Sequence, residues 1–289
     1  MSGSAQVTHA LTIDVESFAE ALADSVAVAP EFLDPAAIDS EIEQNLDVTL
    51  ALLAETDCRA TFFFLGRIAG SAPALVRRVA EAGHEIGCHS LYHRRITMQT
   101  PEEFRQDITE ARQRLQDISG QAVAGFRAPD FSIMADNQWA LDELLAAGFR
   151  YDSSVVPMRL HDVYGMGDVP REVFRWPNGL IEFPLPVVRF LGVALPMGGG
   201  GYFRLNPVML TSFFYRRWGR QGHPQAFYIH PSEIGPSAPR IGGLSAARRF
   251  RHYVRLGKGQ ERLRRLLQAL EFETMAAVLN RSGHLPEGR

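Results

Sequence analysis

The segment GCHSLYHRR (87–95) sets His89 and His93 four residues apart, directly after a short apolar run. If the chain turns helical there, the two imidazoles share a face with Cβ atoms about 5 to 6 Å apart. One divalent ion can span that gap through nitrogens at about 2.0 to 2.1 Å. Such an ion needs at least one further protein ligand and an open position for water. Near the N-terminus, Asp14 and Glu16 in TIDVES are two residues apart in what reads as a strand, so both point to one side. One carboxylate can then hold metal while the other takes a proton from water. Arg127 in FRAPD, Asp152 in YDSS and His230 in YIHP occupy comparable places at the ends of apolar runs. Singly, each has an ordinary reading as a turn, cap or surface ion-pair residue. Together, five strand ends that each carry an ionisable group point to a site.

These residues become neighbours only if strands deliver them to one edge. HALTID (9–14), RATFFFLG (59–66), HEIGCH (84–89), AVAGFRAP (122–129), FRYDSS (149–154) and AFYIHP (226–231) read as strands, short and rich in apolar or aromatic residues. Between them, residues 39–57, SAPALVRRVAEAG (71–83), TPEEFRQDITEARQRLQDISG (100–120) and NQWALDELLAAG (137–148) have helical apolar spacing. Thr100 with Glu103 predicts a capping box, and Pro73 and Gly83 bracket their helix in the expected order. The alternation predicts a mostly parallel α/β sheet, open or closed into a barrel, with chemistry at the carboxyl ends of its strands. From about 160 to 225 the pattern loosens into Gly- and Pro-rich sequence, with a hairpin around Asn178 and Gly179 and the run PMGGGGYFR. GQERLRRLLQALEFETMAAVL (259–279) reads as one closing amphipathic helix. The expectation is one domain over 1–289, with a core of about 9–235 and a C-terminal extension of about 236–289.

With 46% hydrophobic and 22% charged residues over 289 positions, the chain can fill a substantial core. No stretch reaches a membrane-spanning length of apolar residues, and the first residues lack a basic segment followed by an apolar one, so the sequence reads as cytoplasmic. Two cysteines, Cys58 and Cys88, are too few for a disulfide framework. The net charge of −3 hides an asymmetry: residues 240–289 hold eleven Lys and Arg against four Glu. The plain reading is a solvated helix face; the sharper one is a patch that meets phosphate groups or an anionic membrane surface. No phosphate loop, dinucleotide fingerprint or nucleic-acid module appears, so no nucleic-acid partner is expected.

The motifs in order resemble those of the NodB-type polysaccharide deacetylases, a carbohydrate esterase group. TIDVE resembles the first motif, usually Thr-Phe-Asp-Asp. HSLYH matches the His-Ser/Thr-x-x-His metal motif, FRAPD the Arg-x-Pro motif, YDSS the fourth, and YIHP the closing Leu-x-His. MGGGGYFRL and FRHYVRLGKGQERLRRLL resemble the extension of the subgroup encoded with exosortase-linked exopolysaccharide loci. The resemblance implies an irregular (β/α)7-type barrel with a Gly/Pro-rich insertion and a C-terminal helical extension. It implies Asp14 as general base oriented by Arg127, and His230 as general acid oriented by Asp152. It also implies His89 and His93 as ligands to a divalent metal, zinc foremost, with cobalt or nickel as alternatives. Asp14-Val15-Glu16 departs from the adjacent pair of aspartates, which makes Glu16 the third ligand from a shifted position. Asp130 departs where an aromatic residue or serine is common, and is expected to read a substrate amine or hydroxyl. Tyr202, Phe203 and Arg204 are expected to contact sugar from a mobile glycine wall, unless that run is only a connector.

The activity implied is metal-dependent hydrolysis of an N-acetyl, or other N-acyl, group on an amino sugar. The substrate would be a polysaccharide or a lipid- or nucleotide-linked glycan precursor, with peripheral membrane contact through the basic C-terminal region. The rivals are deformylation of a lipid-linked amino sugar, metal-free opening of a cyclic amide, and glycan binding without catalysis.

Overall fold

A computed structural model describes residues 7–23, 28–158, 165–190 and 193–285. The strands in chain order are β1 (His9–Val15), β2 (Thr61–Phe64), β3 (Glu85–Cys88), β4 (Gly125–Phe126), β5 (Tyr151–Asp152), β6 (Phe174–Arg175), β7 (Ile181–Glu182), β8 (Val187–Phe190), β9 (Val193–Pro196), β10 (Ala226–Ile229) and β11 (Phe272–Glu273). The helices are α1 (Glu20–Ala23), α2 (Pro35–Glu55), α3 (Gly66–Ser71), α4 (Pro73–Glu81), α5 (Pro101–Ser119), α6 (Trp139–Ala146), α7 (Gly200–Leu205), α8 (Val208–Arg220), α9 (Pro231–Ile234), α10 (Ala246–Tyr253), α11 (Gly259–Ala269) and α12 (Met275–Arg281).

The main sheet runs β10-β1-β2-β3-β4-β5-β7-β6, with β11 added beside β1. Pairing along it is parallel except between β6 and β7, so the seven-stranded parallel expectation is met by β1, β2, β3, β4, β5, β7 and β10. The sheet is curled into a half-barrel. Strands lie about 4.8 Å apart, so in a flat sheet β4 would stand roughly 14 Å from β1, out of reach of one side chain. Arg127, just past β4, nevertheless donates to both Thr12 Oγ1 and Asp14 Oδ1 on β1, each at 2.7 Å.

Alternation along β1 explains how the curl is filled. Leu11, Ile13 and Val15 pack in one cluster with Phe62, Phe64 and the helices, while Ala10 joins Phe63, Tyr151 and Ala226 in a second. Thr12 and Asp14 share the inner direction. Gly87 on β3 makes room there, because a Cβ at that position would lie 2.5 Å from the Phe63 ring. The Phe63 ring in turn carries the Arg127 guanidinium, 4.4 Å from its centroid. A missing side chain on one strand thus seats the cation that reaches another.

The capping box of α5 forms as expected, with Thr100 Oγ1 accepting from Glu103 N and Glu103 accepting from Thr100 N. The hairpin at Asn178 and Gly179 also forms, and its second strand, β7, enters the main sheet beside β5. The loosened region is more ordered than its composition suggests, since it adds the antiparallel pair β8–β9 and helices α7 and α8. The single closing helix is a correction: the chain leaves α11 at Leu270, forms β11, and restarts as α12 with Thr274 as N-cap. β2 pairs with β1 only from Thr12 onward, which leaves His9 and Ala10 an open edge that Phe272 and Glu273 fill. The C-terminal segment therefore completes the sheet. Among the described residues, no helix is long and apolar enough to cross a membrane.

Candidate active site

The carboxyl ends of β1, β3, β4 and β10 open into one cavity of about 250 Å³, whose wall includes Asp14, Glu16, His89, His93, Asp130 and His230. Asp14 and Glu16 reach it together because Val15 between them turns into the core. Glu16 Oε2 lies 2.6 Å from His93 Nε2 and 3.3 Å from His89 Nε2, and all three side chains are buried. Their ligand atoms lie within 4.8 Å of one another.

This trio fits a divalent cation on its own chemistry. His89 Nδ1 stands 2.7 Å from the Arg127 carbonyl oxygen, which can only accept, so Nδ1 carries the proton and Nε2 turns its lone pair toward Glu16. Glu16 Oε2 is buried and has no partner apart from these imidazoles. A carboxylate oxygen facing imidazole lone pairs is repulsive unless a positive charge lies among them. Without a metal that charge must be a proton. Burial pulls His93 down, but the charge of Glu16 and its hydrogen bond lift it to about 9. For Glu16, burial acts upward, and the charge of His93 and the contacts with His230, His89 and His93 carry it well below its usual range. Two nitrogens and one carboxylate oxygen form a borderline donor set of the kind that holds zinc.

The histidine pair is not helical. Residues 89–93 form a loop in which Ser90 (φ 70°) and His93 (φ 59°) take left-handed backbone conformations. Contacts hold that shape: Ser90 Oγ accepts from His93 N at 3.0 Å, and Asp107 on α5 accepts from Leu91 N at 2.9 Å. The start of α3 adds two bonds, from Gly66 N to Ser90 O and from Arg67 N to Leu91 O. The expected sharing of a helical face is thereby replaced by a pinned loop that brings the ring centroids to 5.3 Å.

Arg127 is fully buried, pairs with Asp14 at 2.7 Å, and donates to Ser153 O and Ser153 Oγ at 3.0 and 2.9 Å. His230 faces Glu16 Oε1 at 3.2 Å through Nε2 and Glu233 Oε2 at 3.0 Å through Nδ1. The contact with His230 expected of Asp152 is made by Glu233 instead. Asp152 is buried opposite Glu182, accepts from Ser154 Oγ at 2.5 Å, and does not line the cavity. Burial and the charge of Asp152 hold Glu182 well above the usual carboxyl range. The Asp152 strand acts through its serines, since Ser154 Oγ accepts from Ala128 N at 2.8 Å and Ser153 anchors Arg127. Glu233 had a local signal: His-Pro-x-Glu at the start of α9 puts a glutamate where it can accept from the His230 backbone N–H, at 3.1 Å.

The residues expected to touch sugar divide. Asp130 lines the cavity and pairs with Arg95 Nε at 2.6 Å, and Tyr202 also lines it. Arg204 lines it while binding Glu233 Oε1 at 3.0 Å and donating to His252 O at 2.7 Å, so it is a brace for Glu233. Phe203 is a correction: its ring packs on Phe227 with centroids 4.9 Å apart, inside the core and away from the cavity. The glycine run is paired to β10. Gly199 (φ 139°) pairs with Tyr228, and a Cβ there would fall 1.7 Å from Tyr228 O. Phe131 and Tyr228, which the motifs did not single out, supply aromatic wall.

Comparison with known proteins agrees with this geometry. Residues 36–151 match the family model described as polysaccharide deacetylase, and residues 153–280 match a domain of unknown function, DUF3473. A peptidoglycan-N-acetylglucosamine deacetylase of Bacillus cereus is 32% identical over 92 residues, covering 32% of this chain and 34% of that one. A peptidoglycan deacetylase of Helicobacter pylori is 26% identical over 149 residues, covering 48% and 49%. The chain thus spans between a third and a half of the length of these relatives. Among solved structures, a candidate polysaccharide deacetylase from Mycobacterium smegmatis superposes with a TM-score of 0.60 at 19% identity, covering 100% of this chain and 97% of that one. A family 4 carbohydrate esterase from Streptomyces lividans, solved with acetate, gives a TM-score of 0.50 at 14% identity over 94% of both chains. At these identities the structural likeness speaks for the fold. The family match covers residues 36–151, less than half of the chain, and with the fold and the ordered motifs it makes this chain similar to the polysaccharide deacetylases.

Proposed function

We propose that this chain hydrolyses the N-acetyl group of an amino sugar in a polysaccharide or glycan precursor, using a divalent metal held by Glu16, His89 and His93. The observation that carries the reading is the convergence, in one cavity, of that buried trio with Asp14 and His230, each braced by a different partner. When bound, the cation would polarise the amide carbonyl and acidify a water beside it.

Asp14 is the base. Arg127 pins its Oδ1 and leaves the carboxylate at the cavity wall, where it can accept the proton of the attacking water. His230 is the acid. Burial lowers its proton affinity, but the hydrogen bonds and charges of Glu16 and Glu233 more than offset this and raise it well above the ordinary histidine range. A protonated His230 can donate from Nε2 to the departing amine while Glu233 holds Nδ1. The products are acetate and the free amino sugar. Asp130 and Tyr202 are the side chains that would meet the sugar, and the glycine run closes that wall.

The test is acetate release from acetylated glucosamine oligomers and from lipid- and nucleotide-linked N-acetyl amino sugars. Acetate should appear, stop on chelation and return with zinc. Asp14→Asn should be silent while binding as much metal as the wild type. No acetate from any member of the panel by the metal-loaded protein would sink the assignment.

A further inference from the structure

From Phe183 to Gln260 the chain holds one acidic residue, Glu233, against eleven Lys and Arg, while the remainder carries nineteen against thirty-two acids. Glu233 is buried, so this stretch presents no carboxylate outward. The same stretch builds one wall of the cavity, through Tyr202, Arg204, Leu205 and His252.

Its outer surface is apolar as well as basic. On α8, Thr211, Ser212 and Tyr215 face inward, whereas Met209 is 85%, Phe213 57% and Leu210 41% exposed. One to two turns along the same stripe come Arg217 and Arg220, also exposed. Three residues before α8, Leu205 lines the cavity. Arg255 Nη1 donates to Leu205 O at 3.2 Å, and Arg204 to His252 O, so the end of α10 is tied to α7. On α10, Phe250 is 60% exposed beside exposed Arg249.

Several surface arginines elsewhere face acids: Arg105 pairs with Glu143, Arg114 with Glu110, and Arg264 with Glu55. Among the described residues, Arg217, Arg220 and Arg249 enter no ion pair. A soluble acidic polymer would use those cations and gain nothing from an exposed Met209 or Phe213. An anionic bilayer uses both, because phosphate headgroups take the arginines while apolar side chains enter the headgroup–acyl boundary.

We propose that the outer face of α8, continued by α10, seats the protein on an anionic phospholipid surface with the mouth of the cavity at its edge. The surface stands independently of the reaction, and none of the residues varied below lines the cavity.

The experiment is flotation with vesicles of phosphatidylcholine alone and of phosphatidylcholine with about one third phosphatidylglycerol. The wild type should float with the anionic vesicles only, less so as salt rises. Met209→Ser/Phe213→Ser and Arg217→Glu/Arg220→Glu should each lose roughly tenfold or more of that binding, with circular dichroism and acetate release from a soluble amino sugar unchanged. Failure of the wild type to float overturns the proposal. So does wild-type vesicle binding by Met209→Ser/Phe213→Ser with competition by soluble polyphosphate, which would assign the face to acidic polymers. If that variant instead dissolves a dimer of the chain and leaves vesicle binding intact, the face belongs to a second copy. Acetate release on the soluble substrate separates each result from the fate of the reaction assigned above.

Discussion

Glu233 illustrates what single residues contribute to this site. It binds the His230 ring at 3.0 Å and is itself held by Arg204 at 3.0 Å, so the imidazole is braced by a carboxylate from its own helix start. Burial pushes the Glu233 carboxyl up, but the Arg204 charge and the contacts with His230 hold it at about 2. Glu233→Gln keeps the shape but removes the charge. Its turnover of an N-acetyl amino sugar should fall by about tenfold to a hundredfold with KM little changed. Hydrolysis of an activated aryl acetate, whose leaving group needs no proton, should fall much less; equal losses on both substrates would refute a role through the acid. Glu16→Gln should instead show its defect in metal content, measured by elemental analysis of the purified protein. His89, His93, Asp14 and His230 were legible in the sequence because each stands in a short motif. The partner of His230 was not assigned correctly, because Asp152 and Glu233 both lie near strand ends and only distance chooses between them.

At the scale of elements, the site depends on backbone that tolerates no ordinary side chain. Gly199 has a φ of 139° and a Cβ there would meet Tyr228 O at 1.7 Å, on the strand that carries His230. Gly199→Ala must therefore move β10 or the glycine run, at a cost of about 2 kcal/mol or more. The check is a urea unfolding midpoint together with acetate release, both of which should drop; Gly222→Ala serves as a control for positive φ alone, since nothing lies within 4 Å of its Cβ position. The glycines were visible in the sequence as a run, but composition could not separate a wall beside the site from a connector. The same limit applies to the closing helix. Leu263, Leu266 and Leu270 keep a helical apolar spacing up to the point where the chain becomes β11, and the vacant edge of β1 decides the change. The strands β4 and β5 were readable although they are two residues long, because FRAPD and YDSS mark their ends.

For the whole molecule, buried titratable groups away from the site set opposing responses to pH. Burial lowers His9 and His84 to about 4 from 6.5, and each Nδ1 accepts from a backbone N–H, of Gln225 and Ala60 respectively. Their unfolded forms take protons first, so their contribution to stability is present above pH 6.5 and is lost as pH falls through the folded values. The loss is up to about 1.4 kcal/mol per pH unit for each group. Glu41, which accepts from Phe18 N, is raised by burial to about 7 from 4.5. Its contribution is present below pH 4.5 and lost as pH rises through 7. In urea melts, His84→Gln should lose ground to the wild type at pH 7 and recover it between pH 6.5 and 4. Glu41→Gln should gain on the wild type from pH 4.5 to 7, and the same sign for both variants would show that these groups do not titrate as buried. The sequence by itself determined the parallel α/β order, the residues at the strand ends and the basic, acid-poor second half, because these follow from local periodicity and residue type. Only the tertiary structure decided the curl that lets Arg127 reach Asp14, the left-handed loop that joins His89 to His93, and the choice of Glu233 over Asp152. Each depends on distances between segments far apart in the chain, which no local pattern encodes.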